Sequence, residues 1–371
     1  MRACGFFGCS LRRKMSALDH FKGTVMNSTS ARTALVLGAN GRFGQVAVRA
    51  FAAAGWQVRA HTRRAPATPW PAGVQSVRCD ALDLATLTAA AQGAEVIVQA
   101  LNPDYTRWDT LLPPITQATL ALAGASGARL MVPGNVYNFG RELPAQLDEA
   151  TPFVANTPKA AQRIAMEASM QEAAHTRGVK SVVIRAGDFL GGTGTWLDLA
   201  MARRLPRGVF TQMGQPDIAH AWAWLPDLAQ TFVRVAEVQA ALPAFETLHH
   251  TGLTLTGAQL QAAVEAALGQ PLRNAQFPWW LMQLASPVAA MPRALLQMRY
   301  LWQRPHQLVS HKLPALIGPE PSTPVDVVMR QALQGLPATL LPPQALTPRP
   351  LPLMVAREPR HPLPHQRERA G

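Results

Sequence analysis

The sequence predicts an α/β protein: a doubly wound parallel sheet with a small, mainly helical C-terminal lobe. Three observations carry this. Apolar strand patterns alternate with helical ones from residue 33 to residue 185. A glycine-rich turn, Gly38-Ala-Asn-Gly41-Arg-Phe-Gly44, joins the first strand to the first helix. Beyond Gly187 the alternation loosens.

The first strand is Thr33–Leu37. The helix after the turn presents Phe43, Val46, Ala47, Ala50, Phe51 and Ala54 on one face, and Gly55 closes it. In this setting the glycines read as a dinucleotide site. They let the backbone turn tightly and approach a pyrophosphate at the positive end of the helix. The sheet is therefore of Rossmann type, and Gly38, Asn40, Gly41, Arg42, Phe43 and Gly44 are its first candidate cofactor residues. Gln57–Thr62 reads as the second strand and Val74–Cys79 as the third, followed by a helix over Asp83–Gln92. Glu95–Ala100 is a fourth strand, with a helix near Leu111–Ala125, and Arg129–Val132 is a fifth. A long helix covers Lys159–Thr176, and Lys180–Arg185 is the sixth strand.

Past Gly187, a glycine-rich loop at 191–194 precedes a short helix at Trp196–Arg203. Another helix spans Pro226–Ala241, with Asp227 as its cap, and Leu248–His250 is a short strand. Thr256-Gly-Ala-Gln259 has capping-box form and opens a helix to about Leu268. Residues 271–305, with Trp279, Trp280, Trp302 and several Met, read as the helical core of a small lobe. The expected division is 1–28, a disordered N-terminal extension (or an upstream start, since Met26 precedes the first strand); 29–250, the dinucleotide-binding domain; 251–337, a substrate lobe; and 338–371, a disordered tail with eight prolines in 34 residues.

Composition narrows the partners. The formal net charge is +13, but residues 1–25 contribute +4 and residues 338–371 contribute +3. No compact basic face with interleaved aromatics appears, which argues against nucleic acid. Cys4, Cys9 and Cys79 make neither a disulfide framework nor a zinc spacing, so a cytoplasmic protein without metal is expected. The best candidate for a membrane span, Pro278–Met291, has fourteen residues and an internal proline. It falls short of the roughly 18–20 residues of a membrane span. The segments around Trp279–Trp302 could still lie on a membrane surface. His249-His250 lacks a third ligand and reads as structural. The expected partners are a small-molecule substrate and, for assembly, a homodimer.

The second strand ends in His61-Thr-Arg63-Arg64. An acidic residue about 20 positions past the glycines would select NAD; two arginines there suit a 2′-phosphate. NADP is therefore favoured, with NAD as the alternative.

With these residues in place, the chain resembles the extended short-chain dehydrogenase/reductase superfamily, the NAD-dependent epimerase/dehydratase group, from about residue 32 to 336. The markers occur in order. After the glycine turn, Asp80-Ala81-Leu-Asp83 resembles the acidic pair that faces the adenine. Val98-Gln-Ala100-Leu101-Asn102 resembles the segment lining the nicotinamide side. Val136-Tyr137-Asn-Phe-Gly140, Val183-Ile-Arg185-Ala-Gly187 and Trp224-Leu-Pro-Asp227-Leu-Ala resemble three later family elements.

The resemblance implies a catalytic Tyr with a Lys four residues later, and a Ser or Thr at the end of the fifth strand. Aligned on Glu167, Lys159 takes the Tyr place and Arg163 the Lys place, while Pro133-Gly134-Asn135 replaces the Ser/Thr region. If Lys159 is instead the family Lys, the Tyr place falls on Ala155. Arg163 can bind the ribose as a fixed cation. Lys159 in a closed pocket can donate a proton, with Tyr137 and Asn135 as the alternative donors. The implied function is an NAD(P)-binding, epimerase/dehydratase-like oxidoreductase acting on a small carbonyl or hydroxyl compound or a sugar nucleotide, without the usual Ser-Tyr-Lys set. The rival is a non-catalytic NADP(H)-binding redox sensor or partner module.

Overall fold

The computed structural model describes residues 32–342. The expectations for residues 1–28 and for the tail beyond 342 lie outside the described residues. Five strands come first: β1 (Thr33–Leu37), β2 (Gln57–Thr62), β3 (Gln75–Arg78), β4 (Val96–Gln99) and β5 (Arg129–Gly134). Between them lie helices α1 (Arg42–Ala53), α2 (Leu84–Ala91) and α3 (Trp108–Ser126). A two-residue strand, β6 (Gln146–Leu147), precedes α4 (Pro158–Arg177) and β7 (Ser181–Arg185). The remaining strands are β8 (Asp188–Leu190), β9 (Val209–Gln212), β10 (Ala219–Trp224), β11 (Phe245–His249), β12 (Leu253–Thr256), β13 (Arg273–Gln276) and β14 (Gln307–Leu308). The remaining helices are α5 (Leu225–Glu237), α6 (Gly257–Leu268), α7 (Trp279–Ala285), α8 (Ala290–Leu296), α9 (Lys312–Ile317) and α10 (Val325–Gln334).

Seven strands form the doubly wound sheet, in the order β11-β7-β5-β4-β1-β2-β3. All six pairings are parallel. β1 is an interior strand, buried on both faces. Ala34 and Val36 point into a core with Phe43, Phe51 and Phe232 of α1 and α5. Leu35 and Leu37 point the other way, toward Leu120 of α3 and Met170 of α4. This strict alternation is the period-2 pattern of a strand covered on both sides. The chain extends the sheet outward from β1 to β3, then returns to the far side of β1 with β4. That reversal opens a crevice at the C-terminal ends of β1 and β4, the place where such sheets hold ligands.

The lobe is helical with two small sheets, β12-β10-β8 and β13-β9. β12 alternates as Leu-Thr-Leu-Thr over four residues, whereas β10, Ala-His-Ala-Trp-Ala-Trp, is almost wholly buried and has no polar face to read. β13 is Arg-Asn-Ala-Gln and owes its state to parallel pairing with β9. Two further expectations need correction. Asp227 does not cap α5; its carboxylate accepts from Thr323 N–H and Oγ1 at 2.8 and 2.7 Å. Residues 271–305 are only partly core, for Trp279 and Trp302 are buried while Trp280 is 60% exposed. The capping box of α6 forms as expected, with reciprocal Thr256–Gln259 bonds. Residues 338–340 form a single 3₁₀ turn.

A buried network ties α4 to the sheet. Arg185 Nη2 and Nε donate to Glu167 at 2.5 and 3.3 Å, and Asn138 Nδ2 donates to the same carboxylate at 3.0 Å. His249 closes it, with Nε2 3.1 Å from Arg185 Nη1 and Nδ1 3.1 Å from Leu147 O. Guanidinium on one side and carbonyl on the other demand a neutral ring, and burial first, then Arg185, lowers its pKa to about 4. The neutral ring therefore stabilises fully above the unfolded value of about 6.5, and its contribution fades as pH falls toward 4. Denaturant unfolding at pH 5 should show about 2 kcal/mol less stability than at pH 7 from this residue alone. His249→Gln should shrink the acid-dependent loss by that share; an unchanged pH profile would disprove the assignment.

Candidate active site

The glycine turn sits at the crevice and leaves no room for side chains. Gly38 has φ 72°, and a β-carbon on it would lie 3.0 Å from both Ala100 O and Leu101 N. One on Gly44 would collide with the Gly38 carbonyl, and one on Gly41 would lie 3.1 Å from that oxygen. Gly41 begins α1 with no side-chain cap, and the first turn holds no acidic residue. The helix's first N–H groups and its positive end are therefore available to an anion. These are the features a dinucleotide pyrophosphate needs, so the residues present fit the group.

A residue outside the sequence candidates braces this turn. Gly38 N–H donates to His61 Nδ1 at 3.2 Å, and His61 Nε2 lies 3.2 Å from Cys79 O. The ring thus accepts on one side and donates on the other, and burial lowers its pKa in keeping with the neutral form. Only the C-terminal position of His61 on β2 hinted at this; the partner atoms are backbone and leave no sequence signal.

Asn40 Nδ2 donates to Arg64 O at 2.8 Å, joining the turn to the loop after β2. Beside it lies a cavity of about 200 Å³ lined by Asn40, Gln45, Arg64 and Trp70 among others. Arg63 and Arg64 are exposed. Phe43 turns away, its ring 4.7 Å from that of Phe232 in the core, so only its backbone faces the turn. Arg42 is exposed and reaches toward Gly194. Asp80 is exposed and accepts from Leu82 N–H at 2.9 Å, with Ala81 half-buried beside it. Ala100 and Leu101 border Gly38, and Asn102 is exposed one residue further.

The other candidates gather at the C-terminal ends of β4 and β5. Thr157 caps α4 by accepting from Ala160 N–H at 3.0 Å, and Pro158 occupies the first turn. Lys159, Arg163 and Glu167 then follow at four-residue spacing on one face, and all three are buried. Lys159 Nζ donates to Tyr105 O at 3.0 Å and lies 4.7 and 4.6 Å from the Tyr105 and Trp108 ring centres. Burial, then the Arg163 charge, lowers its pKa to about 8. The Arg163 guanidinium packs over Trp108 at 4.6 Å. Its Nη1 reaches Met166 Sδ at 3.6 Å, while its Nε has no hydrogen-bond partner among the described residues. Burial lowers its pKa as well.

Tyr137 is buried, and its hydroxyl lies 3.2 Å from that of Tyr105. Burial raises both phenols, that of Tyr137 well above 10, and the Asp188 carboxylate adds to this. Asn135 holds the segment by accepting from Tyr137 N–H at 3.0 Å. Asp188 in turn lies 2.9 Å from His220 Nε2, whose ring stacks on Trp302 at 4.1 Å. Tyr105, Trp108 and Asp188 are additions by the fold; no spacing in the sequence connects them to α4.

Residues 38–219 match the NAD(P)H-binding family. The fold is shared with UDP-glucose 4-epimerase from Bifidobacterium longum in complex with NAD+ and UDP, at 14% identity and a TM-score of 0.65, covering 82% of this chain and 98% of that one. It is equally shared with L-threonine dehydrogenase from Clostridium difficile, at 14% identity and a TM-score of 0.66, covering 83% and 99%. UDP-glucose 4-epimerase from Brucella ovis in complex with NAD gives 14%, 0.65, and 82% and 98%. No curated protein matches the chain. The chain thus carries an NAD(P)H-binding region over residues 38–219 in a Rossmann-type fold, and its motifs resemble those of the extended short-chain dehydrogenase/reductase superfamily, the epimerase/dehydratase group.

The packing at Gly44 makes a direct prediction. Gly44→Ala should destabilise the protein by about 1–3 kcal/mol, because the new methyl meets rigid backbone. Equilibrium unfolding checks this; a variant as stable as the parent would mean that the turn is looser than described.

Proposed function

We propose that the chain is an NADP(H)-dependent oxidoreductase or epimerase-type enzyme acting on a small carbonyl or hydroxyl compound or a sugar nucleotide. The reading rests on one observation above all: a buried lysine of lowered pKa, packed over the Tyr105 and Trp108 rings, beside a crevice that fits a dinucleotide. In this reading Gly38, Asn40, Gly41, Arg42, Phe43 (through its backbone) and Gly44 hold the pyrophosphate. Asp80 and Ala81 border the adenine, Ala100, Leu101 and Asn102 the nicotinamide, and Arg163 the nicotinamide ribose. The bound cofactor supplies the hydride chemistry. Residues 29–250 supply its domain and 251–337 the substrate lobe, to which β8, β9 and β10 of the first segment also contribute strands, in a protein of the cytoplasm that pairs as a homodimer.

Lys159 takes the proton-donor role. With a pKa near 8 it is mostly ammonium at neutral pH, yet close enough to neutrality to release a proton. Tyr137 stands second: its high pKa keeps the phenol protonated, which suits a donor and not a base. A non-catalytic NADP(H) sensor is the second reading. It is favoured by the enclosure of the cluster, in which Lys159 is bonded to Tyr105 O and Tyr137 to Tyr105 Oη.

Two measurements test these readings. Calorimetry should find tighter binding of NADPH than of NADH, with selectivity lost in the Arg63→Ala/Arg64→Ala variant. Tighter NADH binding, or selectivity that survives the double substitution, excludes the 2′-phosphate role. In a carbonyl and sugar-nucleotide screen with NADPH, Lys159→Met should lower the rate about 10²–10⁴-fold. The reduction rate of the parent should fall as pH rises through about 8, as the ammonium form disappears. Full activity in both Lys159→Met and Tyr137→Phe would refute the donor assignment. NADPH binding with no turnover across the screen would favour the sensor.

A further inference from the structure

The helical hairpin α7–α8 exposes an apolar tip that no other described part of the fold covers. Trp280 is 60% exposed, Leu284 71% and Val288 90%, with Leu281 and Met291 beside them. The opposite face is anchored. Trp279 is buried and its Nε1 donates to Met213 O at 2.7 Å, and Ala294 is buried in α8. The tip is also held in shape: Arg293 Nε and Nη2 donate to Ser286 O and Pro287 O, both at 3.1 Å. One guanidinium thus closes the end of α7 and fixes the turn that carries Val288. Apolar side chains displayed on a rigid turn are a surface built for contact.

The charge around it names the partner. From residue 266 to residue 311 the sequence contains no Asp or Glu, while Arg273, Arg293, Arg299 and Arg304 supply four cations; Lys312, further on, is paired with Glu246 at 2.7 Å. A second copy of the chain would bring the same cations face to face across a symmetric interface. An anionic lipid surface instead offers hydrocarbon to the tip and phosphate to the arginines. Trp280 belongs at that boundary, since indole favours the interfacial zone. No described helix is long and apolar enough to cross a membrane, so the contact is superficial. We infer that the α7–α8 hairpin docks the protein on anionic membrane surfaces, with Trp280, Leu284 and Val288 entering the headgroup–acyl boundary.

Sedimentation of the full chain with vesicles tests this, comparing equal parts phosphatidylglycerol and phosphatidylcholine with phosphatidylcholine alone. The protein should pellet with the anionic vesicles at low salt and be released as salt is raised. The variant Trp280→Ser/Leu284→Ser/Val288→Ser should lower the bound fraction about tenfold. Its melting temperature and NADPH binding should be unchanged, because the altered side chains are exposed. Absence of pelleting at low salt overturns the inference. So does equal pelleting of parent and triple variant, which would trace binding to the basic chain ends, and equal binding to both vesicle types. A parent dimer that the triple variant splits, without vesicle binding, would show that a second copy covers the tip.

Discussion

Backbone packed directly on backbone at the sheet's switch point is the constraint on which the molecule turns. Gly38 sits against the Ala100–Leu101 peptide, and Gly44 against the Gly38 carbonyl. This close approach sets where α1 starts and how its first N–H groups face the crevice. It also depends on β1 and β4 ending together, which their parallel register from Ala34↔Val96 to Leu37↔Gln99 ensures. His61 then spans from the turn to the end of β3, so three strand ends are joined through one neutral imidazole. A larger residue at either glycine would disturb the ligand cradle and the packing of α1 on the sheet together.

Positions on the other side of the crevice depend on α4, and α4 depends on buried charge. The Glu167–Arg185 pair, with Asn138 and His249, links α4 to β7, β11 and the turn that carries Tyr137. Removing one partner of such a pair costs about 3–5 kcal/mol, because the other charge is left buried. The pair holds Lys159 and Arg163 in place two turns and one turn earlier on the same face. Arg163 is the contrasting case: buried, with no carboxylate bonded to it and Nε unmatched among the described residues. The fold therefore satisfies one buried guanidinium almost fully and packs the other chiefly against an aromatic face.

The two ends of the molecule divide the chemistry. Apolar side chains in the main sheet are nearly all spent on the two cores that flank it, whereas the lobe leaves several on α7 and α8 in solvent. Amphipathic pattern alone places such residues in a core, because it reports which residues share a face and not whether a neighbour exists to cover it. Trp279 and Trp280 make the point. They are adjacent and chemically identical, yet one is locked to Met213 O and the other projects outward.

Local chemistry in the sequence was enough to determine the glycine turn, the alternation of strands and helices up to Arg185, the capping box at Thr256 and the spacing of Lys159, Arg163 and Glu167. Each depends on interactions within one strand–helix unit, where steric limits, caps and periodicity act over a few residues. Tertiary structure alone decided the rest. β13 is polar and exists because β9 lies alongside it; Asp227 is taken by Thr323, a residue 96 positions away, instead of capping its own helix. The same holds for the site: Tyr105 and Trp108 follow β4, Tyr137 follows β5, and Lys159 opens α4, and only parallel strands ending at one edge bring them within contact. Lysine's lowered pKa is a property of that meeting, since desolvation and the Arg163 charge require the closed cluster and no sequence interval encodes it.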